Sequence, residues 1–201
     1  MRILLVAATE GEISALRPDL KPDVDVLVTG VGMVATAVRC ARALALTRYD
    51  LALNVGICGS FDRALPPGAV VHVVRDNIAE LGAEDNDEFV TIEAIRLPAE
   101  WTFFNSAPPP LAALRALPAV NAITVNTVHG RESSIAGVAA RFQPQVESME
   151  GAAFMYVCLS HGLPFAQVRA ISNVVERRNR AAWRLDAAVD RLRKDLTEAS
   201  E

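Results

Sequence analysis

Six short apolar runs recur along the chain with helix-period segments between them, and this alternation constrains the fold more than any other feature. The runs cover 3–7, 24–29, 51–55, 69–74, 122–128 and 165–171. Several lack polar alternation, as strands buried on both faces do. Between them, 32–46 places Val34, Ala37, Val38, Ala41 and Ala45 at three- and four-residue spacing. Near the end Leu185, Ala188, Val189, Leu192 and Leu196 repeat that pattern. Strands alternating with helices predict an α/β sandwich with its site at strand ends. The chain has 201 residues, 51% of them hydrophobic, and shows neither a linker nor an internal repeat. A single domain over 1–201 is expected, built on a large sheet covered on both faces.

Several function classes drop away. The net charge of −4, with no Lys/Arg block, argues against nucleic acid as a partner. Cys40, Cys58 and Cys158 lie far apart in apolar sequence, which reads as free thiols in a reducing compartment. The opening apolar run is too short for a secretory leader and no later run spans a membrane, so a cytoplasmic protein is expected. His72, His129 and His161 have no metal-ligand spacing, and no metal site is expected. His129, at a strand-to-loop junction, is placed to line a pocket, whereas His72 and His161 read as structural. The stretch 97–110, with Trp101, Phe103, Phe104 and four prolines, reads as a hydrophobic flap or as a lid or subunit contact.

Four stretches carry candidate chemistry, each with a plainer structural alternative. After the first run, "ATEGE" brings Glu10 and Glu12 to a strand end, either to favour a helix dipole or to act as a general base. "TGVGMVATA" is a strand, a turn with Gly30 and Gly32, and a helix whose start favours an anion. Ala35 stands where a dinucleotide fingerprint has its third glycine, and no acidic residue follows a second strand at the right distance, so a dinucleotide reading is weak. In "NVGICGSFD" a buried strand ends in Gly56 and Gly59, which suggests backbone passing close to a ligand or a helix. In "VESMEGAAF" Glu147 and Glu150 sit in apolar surroundings. Glu150 enters an apolar helix, where a buried carboxylate needs partners such as adjacent substrate hydroxyls.

Together with "FAQVRAISN", these stretches resemble the purine nucleoside phosphorylase/hydrolase superfamily, in its order and over nearly the whole chain. They are more closely similar to the nucleosidases that hydrolyse methylthioadenosine and S-adenosylhomocysteine. "RAISNVVERRNRAAW", with "VESMEGAAF" upstream, looks like the futalosine hydrolase family of the menaquinone pathway, which releases hypoxanthine from futalosine. The resemblance implies a three-layer αβα sandwich around a central mixed β-sheet, a homodimer or higher homo-oligomer, no cofactor, and a small-molecule nucleoside as substrate. It assigns Glu12 to activating the attacking water. Met149 packs on the sugar face, and Glu150 accepts hydrogen bonds from the ribose hydroxyls. Cys58 and Gly59 fall on the loop beside ribose and base, and Asn173 at the position that addresses purine N7.

At that last position the adenine-releasing nucleosidases have an aspartate. Hypoxanthine carries a 6-oxo acceptor, and a carboxylate facing it would set two acceptors together. An unmatched buried polar pair of that kind costs about 1–3 kcal/mol. The amide of Asn173 offers donors to N7 and O6 but cannot give up a proton, so the purine would leave with anionic character. Arg177, Arg178 and Arg180 either form a solvated helix entrance or include a contact to the carboxylated 5′ extension of futalosine, for which the guanidinium fork is suited. Trp183 would stack on the aryl ring or serve the core. The competing readings are a phosphorylase, an adenine-releasing nucleosidase and a non-catalytic purine-binding module. Apolar neighbours of the Gly30–Gly32 turn disfavour a phosphate and hence the first.

Overall fold

The computed structural model describes residues 1–86, 88–105, 111–177, 179, 181, 183–184 and 187–191. Its elements in chain order are β1 (Ile3–Ala7), α1 (Glu10–Ile13), β2 (Val24–Val28), α2 (Met33–Leu46), β3 (Leu51–Ser60), β4 (Val70–Ile78), β5 (Gly82–Asp85) and β6 (Glu88–Thr91). They continue with β7 (Thr102–Phe104), β8 (Ala119–Thr124), α3 (Glu132–Phe142), β9 (Val146–Ser148), α4 (Gly151–Ser160) and β10 (Phe165–Val174). A helical segment at 187–191 follows, and the rest of the expected last helix, with Leu185, Leu192 and Leu196, lies outside the described residues.

All six expected strands are present, but β3, β4 and β10 run further than their apolar stretches, and the fifth, expected at 122–128, covers Ala119–Thr124. Strand β3 continues through Gly56 and Gly59 to Ser60, so Cys58 and Gly59 stand in a strand and not in a loop. Strand β10 continues past Ser172-Asn173 to Val174, with a register shift against β3 between Ile171 and Asn173. A bulge lets a strand bend without leaving the ladder, which is why a polar pair here does not end it.

The sheet is mixed and closes partly on itself. Strands β1, β2, β3 and β10 run parallel, β10 pairs antiparallel with β4, β4 is parallel to β8, and β8 is parallel to β9. The far end of β3 then pairs antiparallel with β9, at Gly59–Glu147 and Ser60–Val146. The expected large mixed sheet includes a five-strand ring of β3, β10, β4, β8 and β9, extended on one side by β1 and β2. Strand β7 adds to β4, giving the aromatic stretch a strand with Trp101 edge-on to Phe142; residues 106–110 of that stretch lie outside the described residues.

Helices cover both faces. Leu4 and Val6 meet Cys40 of α2 and Phe154, Met155 and Cys158 of α4. Leu5 and Ala7 face the other way, onto Ile13, Leu16, Leu114 and Ala188. Helix α3 packs Val138 and Phe142 on Ile123 and Val125. Burying α4 on nearly every side removes most of its surface from water, worth about 25 cal/mol per Å² of apolar area. Among the described residues no helix is long and apolar enough to cross a membrane, and the three cysteines are buried and free.

On the face covered by α2 and α4, apolar packing gives way to polar side chains. Asn54, Asp76, Thr124, Gln167 and Arg169 are all buried there. Burying such groups is unfavourable unless they bond to one another. They do so beneath the start of α4.

Candidate active site

Glu12 opens the site from the end of β1. The chain leaves β1 through Thr9, whose backbone N–H and hydroxyl both donate to Glu12 Oε2, at 2.9 and 3.0 Å. This reciprocal cap fixes a carboxylate three residues into a very short helix. The backbone N–H of Ile57 donates to the other oxygen at 3.2 Å, so the buried carboxylate is held from both β1 and β3. Gly56 is required beside it. A Cβ there would overlap both Glu12 Oε1 and Arg169 Nη1, which approach that point from opposite sides without forming a direct ion pair.

Glu150 approaches from the opposite wall. It is buried at the N-cap position of α4, and its Oε1 accepts from the backbone N–H of Gly32 at 3.0 Å. Gly30 and Gly32 both have positive φ, 82° and 98°, which explains glycine at these two places. The anion expected at the start of α2 is therefore the chain's own Glu150. Burial raises the Glu150 carboxyl above its ordinary range and Glu12 adds to the rise, while Arg169 and the Gly32 N–H oppose it.

Asn173 stands on β10 after the bulge. Its Oδ1 accepts from Ser172 Oγ at 2.8 Å and its Nδ2 donates to Val174 O at 3.0 Å. One amide hydrogen is thus spent locally and one remains for a ligand, fewer than the two expected of this side chain. Gly59 lies alongside, where a Cβ would sit 3.3 Å from Asn173 Nδ2 and 3.6 Å from Glu147 Cγ. Cys58 is buried among Val71, Val73 and Ile171, and burial pushes its thiol up to about 12. Met149 is half-buried immediately before Glu150.

His129, expected to line a pocket, borders a cavity of about 340 Å³ with Glu80, Phe89 and Arg141. Its Nδ1 lies 2.7 Å from Glu147 Oε2 and its backbone N–H donates to Glu147 Oε1 at 3.1 Å. Arg177 borders a second cavity of about 520 Å³ with Arg131, Glu132 and Ser133. Arg178 and Arg180 lie outside the described residues. Trp183 is partly buried.

The structure adds a residue that the sequence reading passed over as an interruption of the sixth apolar run. Arg169 is fully buried on β10, with Nη2 hydrogen-bonded to Asn54 Oδ1, and Asn54 Nδ2 donates to Val6 O at 3.1 Å. Arg169 Nη1 and Nε have no acceptor among the described residues. A buried guanidinium with free donors, facing two carboxylates, is an arrangement that a ligand completes. The spacing Gln167-x-Arg169, two polar residues on one face of an apolar strand, was the available signal.

A profile of the phosphorylase superfamily matches residues 19–201. The chain is 34% identical to a futalosine hydrolase from Streptomyces coelicolor over 173 residues, which is 82% of this chain and 73% of that protein. Among solved structures, the native futalosine hydrolase of Helicobacter pylori strain 26695 superposes with a TM-score of 0.86 at 14% identity, covering 100% of this chain and 97% of the other. A 5′-methylthioadenosine/S-adenosylhomocysteine nucleosidase from Colwellia psychrerythraea 34H, in complex with adenine, gives 0.84 at 21% identity, covering 99% and 94%. At these identities the solved structures establish the nucleoside phosphorylase/hydrolase fold.

Proposed function

The chain belongs to the phosphorylase superfamily and, within it, to the futalosine hydrolases, and on that premise we propose that it hydrolyses futalosine to hypoxanthine and dehypoxanthine futalosine. The observation that carries the choice of base is Asn173. It is an amide where the adenine-releasing pattern has an acid, with one hydrogen free.

Cleavage of the N-glycosidic bond passes through a cationic, oxocarbenium-like sugar. Glu12 takes a proton from the attacking water, which Arg169 Nη1 helps to orient from the far side of Gly56. Glu150 accepts from the ribose hydroxyls and Met149 covers the sugar face. Glu12 and Glu150 together place negative charge beside the developing cation. The bonding electrons pass to the purine, and the remaining amide hydrogen of Asn173 stabilises that charge at N7 or O6. Water as nucleophile is favoured over phosphate because the glycine turn at the start of α2 is already occupied by Glu150.

Arg177, together with Arg178 and Arg180, is proposed for the 5′ carboxylate; the position of Arg177 beside Arg131 on one cavity supports this. Single-domain organisation, a cytoplasmic location and a homodimer or higher homo-oligomer belong to the same reading. Val34, Val38 and Leu46 on α2, 76%, 63% and 74% exposed, leave an apolar face of the kind a second subunit covers. Incubation with futalosine in phosphate-free buffer tests the assignment. Free hypoxanthine is the expected product, and strict phosphate dependence or faster adenine release from an adenosine-type analogue contradicts it.

A further inference from the structure

One buried carboxylate has no part in the chemistry above. Asp76 is fully buried on β4. Its Oδ1 accepts from Thr124 Oγ1 at 2.9 Å and its Oδ2 from Gln167 Nε2 at 3.1 Å. Thr124 Oγ1 in turn accepts the backbone N–H of Ala152, in the first turn of α4, at 2.8 Å. Gly151 completes the contact, since a Cβ there would overlap Asp76 Oδ2 and Gln167 Nε2.

Thr124 therefore grips the chain on both sides of Met149-Glu150. Upstream, it is paired in register with Ser148, and the following residue's N–H donates to Ser148 O at 3.0 Å. Downstream, its hydroxyl holds Ala152. A hydroxyl has one hydrogen. With that hydrogen given to Asp76, a lone pair is left for Ala152 N–H and the hydroxyl cannot turn away.

We propose that Asp76 is a positioning residue, which through Thr124 fixes the first turn of α4 and so sets the Glu150 carboxylate that caps it. The assignment rests on Glu150 as the ribose acceptor. Asp76 touches no substrate; it decides where Glu150 stands. Gln167 Oε1 is buried without a partner, so the amide can turn over and accommodate an asparagine at position 76 without a clash of donors.

The test compares Thr124→Val, which keeps the shape and loses the hydroxyl, with Thr124→Ser and Asp76→Asn, which keep the relay. On futalosine, Thr124→Val is expected to lose about tenfold in kcat/KM, the scale of one hydrogen bond to a charged group. Thr124→Ser and Asp76→Asn should stay within about threefold of wild type. On a 2′,3′-dideoxy counterpart, which offers Glu150 no hydroxyls, the loss in Thr124→Val should shrink to less than about twofold. An equal loss on both nucleosides, or none on either, overturns the proposal. Asp76→Ala, measured in the same way, serves if Thr124→Val does not fold. Amide exchange at Ala152 without substrate separates this proposal from the functional assignment. Faster exchange in Thr124→Val than in Thr124→Ser supports the relay even if futalosine is not cleaved, and equal exchange refutes it.

Discussion

The residues proposed for the two ends of the substrate stand in very different surroundings. On the side proposed for the sugar, Glu12, Glu150 and Arg169 are buried and each tied to a neighbouring strand or turn by a specific donor or acceptor. On the side proposed for the base, Asn173 is half-buried and its side chain bonds only to adjacent residues of its own strand. Arg177 is exposed at the rim of an open cavity. The sugar side must hold charge in place before the reaction starts, because reorganising it during the reaction would forfeit the electrostatic gain. The base side need only discriminate, and one amide in place of one acid does that. On the proposed assignment, reaction type is written into long-range packing, and substrate choice into a few locally held side chains.

Mutation can break this contrast in graded steps. Glu12→Gln should have the largest effect, a loss of about 10²–10⁴ in kcat with substrate still bound, read by single-turnover hypoxanthine release beside equilibrium binding. Retained turnover would remove Glu12 from the chemistry. Gly56→Ala comes next. Its methyl would push apart Glu12 Oε1 and Arg169 Nη1, and kcat is expected to fall by about 10²-fold. A variant that loses only substrate affinity would contradict the pairing of those two groups over Gly56.

The cost of a charged interior should also appear as pH dependence. Burial raises the Asp76 carboxyl to about 7 against its ordinary 3.8, with Gln167, Thr124 and Arg169 opposing. Because the folded value lies above the unfolded one, the native state keeps a proton that the unfolded chain has lost between these limits. Stability from this group is then present at low pH and lost as pH rises towards 7. The melting temperature of wild type, relative to Asp76→Asn, should fall by roughly 4 °C or more from pH 4 to pH 8. A difference independent of pH would show that Asp76 does not titrate in this window. The smallest effect is expected on the exposed side: Arg177→Ala should raise KM for futalosine by about fivefold and leave inosine unchanged. Equal effects on both nucleosides would place Arg177 away from the 5′ extension.

Much of the fold was legible in the sequence because strands buried on both faces leave nearly unbroken apolar runs, as in β1. What escaped has physical reasons. Glycines read as strand ends, yet in β3 Gly56 and Gly59 keep the strand going and make room for Glu12, Arg169 and Asn173. Strand β9 is three residues long, too short to show a period, and the ring it closes depends on pairing between distant segments. Glu12, Glu150 and Asn173 stood out as polar residues at the edges of apolar stretches. Arg169 and Asp76 did not, because they lie inside strands and their partners, Asn54, Gln167 and Thr124, come from other parts of the chain.

The central claim is that Asn173 selects a 6-oxo over a 6-amino purine on a site otherwise built for hydrolysis. Its most direct test is the ratio of kcat/KM for a matched pair of 5′-modified inosine and adenosine nucleosides, in wild type and in Asn173→Asp. Wild type should favour the inosine form, and the variant should move the ratio towards the adenosine form by about tenfold or more. A ratio unchanged by the substitution would contradict the account.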